Sequence, residues 1–178
     1  MKLDFGCGSS KKDGFIGIDC IKLPNVDVVH NLNEFPYPFE ANSASKVWLD
    51  NVLEHMDNPL KCMEEIHRIC KNGAKVYVGV PYFRSFYATI DPTHKRFFGI
   101  NWFYYFDPSH LFCKKYCYTN ARFKVERIEF DREFKKTKVG LFHKMLIKFA
   151  EKKPFFYEAK LSHFFPLNSL TFHLQAIK

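Results

Sequence analysis

Residues 2–19 hold the feature that most restricts the fold. Leu3-Asp4-Phe5-Gly6-Cys7-Gly8 is an apolar run ending in Asp-x-Gly-x-Gly, and Phe15-Ile16-Gly17-Ile18-Asp19 is a second apolar run ending in an acid. Two short strands joined by a glycine turn, each with a carboxylate near its tip, begin a doubly wound sheet whose strand ends border a ligand. The glycines let the backbone turn sharply and approach that ligand closely. A carboxylate at the second tip can accept both hydroxyls of a ribose. Asp19 follows Gly8 by only eleven residues, which leaves room for a loop or one helical turn but not for a full crossover helix.

The same spacing discriminates between cofactors. A dinucleotide site wants a third glycine and an acid about 20 residues on, whereas Lys11 stands at the third glycine's place. A pyrophosphate also wants a clean helix N-terminus, and Ser9-Ser10-Lys11-Lys12-Asp13-Gly14 reads as a short loop. Asp4, inside the glycine motif, disfavours a diphosphate and suits a ligand with an ammonium group. S-adenosylmethionine (SAM) has that group and no phosphate.

The rest of the chain continues the α/β pattern. Strands are expected at 25–30, 44–50 and 74–81, with a Pro-punctuated loop at 33–42 (Pro36, Pro38). Asp57-Asn58-Pro59 predicts a helix start. Leu60, Met63, Ile66, His67, Ile69 and Cys70 would form its inner face, and Asn72-Gly73 its end. A strand with one wet face is expected at 123–130, an amphipathic helix on Leu141, Met145, Leu146 and Phe149, and a last strand at 169–176. The 178 residues suit one domain, 1–178. No apolar run is long enough for a membrane span, and the motif starts too early to leave room for a targeting segment, so a cytoplasmic protein is expected. The six cysteines form no C-x-x-C pair and are expected as reduced thiols. Cys113 and Cys117 beside His110 have the wrong spacing for usual zinc sites, so no metal is expected.

Two features fall outside this pattern. Residues 82–118 carry 14 aromatics in 37 positions, broken by Asp91-Pro92-Thr93-His94 and Asp107-Pro108. This stretch is expected to form a lid or acceptor wall. Charge is also lopsided, with net −2 over residues 1–80 and +10 over 81–178. A basic half of this kind could meet nucleic acid, an anionic lipid surface or an anionic substrate.

Taken in order, these segments resemble class I SAM-dependent methyltransferases. The matching pieces are Leu3–Gly8, Gly17-Ile18-Asp19, Asp27–Pro36 and Asp50-Asn51-Val52-Leu53-Glu54-His55-Met56 with its Pro-led helix. Val80–Phe83 and Asp91–Phe98 resemble a subgroup found near sugar and polysaccharide biosynthesis genes. The resemblance is good to about residue 98 and thinner beyond. It implies a Rossmann-like, doubly wound, mostly parallel sheet, here with a shortened first crossover and an aromatic lid. It implies SAM as cofactor, with Asp4, Gly6, Cys7 and Gly8 at the methionine end and Asp19 on the ribose. Leu32 and Asn33 would lie near the adenine, and Asp50 and Asn51 where cofactor meets acceptor.

The activity expected is methyl transfer to a small-molecule or sugar-type acceptor, at oxygen. An oxygen acceptor must lose a proton, and His94, in a polar island beyond the fifth strand, is the expected base, with Asp91 fixing its tautomer. His55 is the second candidate and His110 the third. The alternatives are a non-catalytic or degenerate SAM-binding subunit, a nucleic-acid methyltransferase and, more distantly, a nicotinamide oxidoreductase. Asp50-Asn51-Val52-Leu53 lacks the Pro-Pro-aromatic motif used on bases, which disfavours the nucleic-acid reading. The short first crossover exposes one side of the cofactor site, which a homodimer or a partner chain would cover.

Overall fold

The computed structural model describes residues 1–136 and 139–178. Its strands are β1 (Lys2–Phe5), β2 (Ile16–Asp19), β3 (Val28–Val29), β4 (Ala44–Asp50), β5 (Cys70–Pro81), β6 (Arg122–Phe130) and β7 (Ser169–Ile177). They form one sheet in the order β3-β2-β1-β4-β5-β7-β6. β1 to β5 are parallel, and β7 inserts antiparallel to both β5 and β6. The central strands alternate: Leu3, Val47, Leu49, Val76, Val78 and Val80, which share one face, are all solvent-free, while Lys46, Trp48, Lys75 and Tyr77 on the other face are only partly buried. Strand order reverses between β1 and β4, so their carboxyl ends open a crevice there.

Residues 6–15 contain turns and no helix, as the eleven-residue spacing requires. Lys11 pairs with Asp27 at 2.8 Å, and Asp27 also accepts from the Gly17 amide at 2.7 Å. The short crossover is thus tied to the entry of β3, which is only two residues long rather than the six expected.

Helix α1 (Pro59–Ile69) starts as the sequence indicates: Asn58 Oδ1 accepts from the Lys61 amide at 3.0 Å, and Pro59 fills the first turn. Its buried face is Pro59, Cys62, Met63, Ile66 and Ile69. Leu60 and His67 are only partly buried, and Cys62 takes the inner place. The helix stops at Ile69, not at Asn72-Gly73. Cys70 already pairs with Ala44, and Gly73 lies at φ +78° inside an irregular stretch of β5 before regular pairing resumes at Lys75. Strand pairing on β4 overrides the local Asn-Gly signal. Late in α1, Arg68 donates to the carbonyls of Phe39 and Tyr37 at 2.9 and 3.0 Å, and Glu65 accepts from the Tyr37 amide at 2.8 Å. This clamp fixes the loop after β3.

Residues 82–118 do not extend the sheet beyond one bridge, Tyr82 to Phe98. Only the first part, with helix α2 (Tyr87–Ile90), borders the crevice. Phe98, Phe103 and Phe106 are fully buried, and Phe103 packs on Phe172 of β7 with centroids 4.6 Å apart. Each such ring contributes about 1.5–3 kcal/mol by burial. Helix α3 (Leu111–Tyr116) follows them. The aromatic stretch is thus divided: Tyr82, Phe98, Phe103 and Phe106 are core, while Phe86, Tyr87, Phe97, Tyr116 and Tyr118 are exposed, and a run without periodicity gives no sign of which rings face inward.

The β6–β7 connection spans residues 131–168 and includes helix α4 (Leu141–Lys152). Of the expected inner face of α4 only Leu146 packs against the core, and the other three residues face outward. Leu141 is 74% and Met145 61% exposed and Phe149 is also exposed, while Ile147 and Ala150 are buried.

Candidate active site

Two cavities meet at the carboxyl edge of the sheet. The smaller, about 190 Å³, is lined by Asp4, Gly6, Cys7, Ser10, Lys12, Asp50 and Asn51. The larger, about 460 Å³, lies between Asn51, Glu54, His55, Asp91 and His94 on one side and Glu133, Phe134, Asn168 and Ser169 on the other. Asn51 lines both.

The smaller cavity is built by the glycine turn. Gly6 sits at φ +64°, and a Cβ there would run into the Val52 side chain, so glycine is required for both conformation and space. Asp19 Oδ2 accepts from the Gly8 amide at 2.9 Å and Oδ1 from the Ile21 amide at 3.1 Å. The acid at the β2 tip therefore braces the turn through both carboxylate oxygens. Asp4 is 2% exposed. Burial raises its carboxyl above the ordinary range, against the opposing backbone bond and charge of Lys12. The Lys12 amide donates to Asp4 Oδ2 at 2.9 Å, and its ammonium lies 3.7 Å from Oδ1. Lys12 is thus the cation that this buried carboxylate faces.

Of the expected cofactor residues, Asp4, Gly6, Cys7, Asp50 and Asn51 share this cavity, and Gly8 and Asp19 adjoin it. Leu32 and Asn33 lie on the clamped loop beyond β3. The Leu32 carbonyl accepts from Tyr37 OH at 2.9 Å, and Asn33 Oδ1 accepts from the Asp57 amide at 2.9 Å. Arg132, which the sequence reading did not single out, pairs with Asp50 at 2.7 Å across 82 residues of chain. No local pattern could have placed it there.

The larger cavity gathers the polar residues expected for catalysis and one more. The loop 91–96 is stapled to the turn after β4: the Glu54 carbonyl accepts from the Lys95 and Arg96 amides at 2.7 and 3.2 Å. Lys95 also pairs with Asp57 at 2.7 Å. His55 and His94 rings come together with centroids 4.8 Å apart.

Asp91 does not fix the His94 tautomer. Its carboxylate accepts from the Thr93 amide at 2.8 Å and from the Thr93 hydroxyl at 2.6 Å. That hydroxyl lies 2.9 Å from His55 Nδ1. Since a carboxylate only accepts, the hydroxyl proton goes to Asp91, and His55 Nδ1–H donates to Thr93. His55 is thereby left with an unprotonated Nε2. His94 Nδ1 lies 3.1 Å from the Ala88 carbonyl, which fixes its own Nδ1–H tautomer. Burial, then the His94 charge, lowers the pKa of His55 below the usual histidine value. His110 is spent elsewhere, its Nδ1 accepting from the Phe112 amide as the cap of α3.

Glu54 is the residue the sequence reading missed. It is 1% exposed, and neither carboxylate oxygen has a hydrogen-bond partner. Burial pushes its carboxyl up to about 8, with Asp50 and Asp91 adding to the rise. Its signal was an acid directly before a histidine, just past the tip of a central strand. Glu54, His55 and His94 also present ligand-type atoms within 4.8 Å of one another.

Residues 18–78 match the family described as a methyltransferase domain. A search of curated proteins finds no match. Among solved structures, the complex between the Haloferax volcanii Trm112 methyltransferase activator and a proposed methyltransferase is similar at 17% identity and TM-score 0.58, over 99% of this chain and 82% of that one. A SAM-dependent methyltransferase from Archaeoglobus fulgidus is similar at 20% identity and TM-score 0.55, over 97% and 84%. The 4+2 cyclase SpnF is similar at 15% identity and TM-score 0.57, over 99% and 74%. The fold is thus the Rossmann-like fold of class I methyltransferases. The matched family, the fold and the glycine motif together support SAM as the cofactor. The presence of a cyclase among these structures means that the fold alone does not fix the reaction.

Proposed function

We propose that the protein transfers the methyl group of SAM to a hydroxyl oxygen of a small-molecule or sugar-type acceptor. The observation that carries this reading is the junction at Asn51 of two cavities, one with the glycine turn and its carboxylates, the other with the His55–His94 pair. When bound, the cofactor supplies a methyl group activated by a sulfonium leaving group. The chain's own residues have to position the acceptor and take its proton. Asp4 and Asp19 would hold the cofactor's ammonium and ribose ends. The acceptor would enter the larger cavity and meet the His55–His94 pair. His55 is the better base of the two, because Asp91 acts on it through Thr93, holding Nδ1–H and stabilising the imidazolium that forms. The net positive second half favours an acceptor with anionic groups. Helix-free residues 6–15 leave one flank of the cofactor site open, which suits a second chain, either another copy or a partner protein.

Asp19→Ala tests the cofactor half. It is expected to weaken SAM binding by about 1.5–3 kcal/mol, roughly 10- to 150-fold, through loss of charge-assisted hydrogen bonds. Calorimetry should show this with the unfolding midpoint nearly unchanged. Unaltered affinity with a collapsed midpoint would make Asp19 only a brace for the Gly8 turn.

A further inference from the structure

The ends of the long β6–β7 connection line the larger cavity, but its middle, on and after α4, has no part in the methyl-transfer reading and builds a surface of its own. On α4, Leu141, Met145 and Phe149 recur every four residues, and Lys144, Lys148 and Lys152 recur in step with them. On a helix such series form two neighbouring rows. Both rows point outward, since Ile147 and Ala150 occupy the buried side. The apolar row is broadened by neighbours: Phe142 meets Phe165 at 5.3 Å and Phe149 meets Phe156 at 6.0 Å between centroids. All six of these apolar side chains are exposed, Leu141 and Phe142 at 74% and 62%.

The apolar row itself carries no acid, and Glu151 flanks the lysine row beside Lys144 and Lys148. Glu151 accepts from the Phe130 amide at 3.3 Å, and Glu158 from the Ile100 amide at 3.0 Å. Lys144, Lys148, Lys152, Lys153 and Lys160 remain exposed. The surface is therefore apolar and predominantly cationic, with these five lysines set against Glu151. A contiguous apolar patch costs a monomer solubility unless something covers it. A protein groove would satisfy the phenylalanines but would need a matching row of acids. A bilayer of anionic lipid satisfies both rows at once, with rings at the acyl boundary and ammonium groups among headgroup phosphates.

We propose that α4 and the aromatic turn after it dock the protein on the surface of an anionic lipid bilayer, lying in the interface without crossing it. Among the described residues no helix is long and apolar enough to span. The lysine row adjoins the larger cavity, because Phe134 lines both that cavity and a second one shared with Lys144 and Lys148. Docking would therefore hold the proposed acceptor pocket close to the membrane surface.

Flotation of the intact chain with vesicles tests this. Vesicles of equal parts phosphatidylglycerol and phosphatidylcholine should bind it at least tenfold more tightly than phosphatidylcholine alone, and raising the salt from about 0.1 to 0.5 M should weaken binding strongly. Lys144→Gln with Lys148→Gln should reduce association by about 30-fold, taking about 1 kcal/mol per lysine near the surface. Phe142→Ser with Phe149→Ser should reduce it more than tenfold without restoring salt-insensitive binding. All four positions are exposed, so circular dichroism and the unfolding midpoint should match the parent. No binding to either vesicle would overturn the proposal. So would equal binding to both, or concentration-dependent self-association abolished by the phenylalanine pair, which would make the face an interface between copies.

Discussion

His55→Ala is expected to lower turnover on the true acceptor by 10²–10⁴-fold, the usual range for a general base, while SAM affinity stays within about twofold. The expectation rests on the chain Asp91–Thr93–His55, in which each proton has a defined owner and His55 Nε2 is left free. His94→Ala should fall in the same range, because the two rings are in contact and His94 is held in its tautomer by the Ala88 carbonyl. Thr93→Val separates relay from packing: it keeps the volume but cuts the link to Asp91, and should lower kcat with KM little changed. The lowered pKa of His55 adds a pH signature. A base must be neutral to act, so the acid limb of kcat/KM should lie below the ordinary histidine value of about 6.5. Full turnover in both histidine variants would leave the cluster a structural turn. Loss of turnover on adding a chelator, restored by a divalent ion, would make Glu54, His55 and His94 ligands rather than a base pair.

The second large effect concerns Glu54 and is read in stability. Its carboxyl is pushed up to about 8 in the folded protein from 4.5. A folded-state pKa above the unfolded one means that the native protein holds a proton that the unfolded chain releases. The group's contribution is complete below about 4.5 and is lost as pH rises toward 8. A shift of this size corresponds to about 3–5 kcal/mol across that window. Glu54→Gln cannot ionise, so its stability should fall by less than the parent's between pH 5 and 8, and the difference between the two slopes isolates this one group. Denaturant unfolding of both proteins at the two pH values gives the answer directly. Parallel slopes would mean that Glu54 is solvated or paired, contrary to its two unpartnered oxygens.

The strand tips were legible in the sequence because they depend on local chemistry. Asp-x-Gly-x-Gly needs a positive φ at Gly6 and space beside Val52, and Asp19 needs only to stand at the end of an apolar strand; all three are found in place. The loop 91–96 was legible as a location beside the crevice but not as wiring. Asp91 and His94 are three residues apart, and nothing in that spacing shows that the Thr93 hydroxyl donates to the Asp91 carboxylate and accepts from His55, thirty-eight residues earlier than Thr93. Glu54 was quoted within its motif and given no role, since burial without a partner is a property of packing. Periodicity found α4 and misjudged its face. Leu141, Met145 and Phe149 have helical spacing, but the rule that an apolar row faces inward fails where that row is presented outward beside a row of lysines. Asn72-Gly73 misled in the same way: a turn signal, overridden by pairing to β4. Arg132 reaches Asp50 from the far side of the fold, and only the sheet order brings the two together.

The central claim is that Asp4, Gly6, Gly8 and Asp19 form a site for SAM, and calorimetry with S-adenosylhomocysteine and NAD tests it most directly. The account predicts binding of S-adenosylhomocysteine in the range of about 1–100 μM, a gain of roughly 5.5–8 kcal/mol, and no measurable binding of NAD, whose pyrophosphate would meet the Asp4 carboxylate. Tighter binding of NAD than of S-adenosylhomocysteine would contradict it.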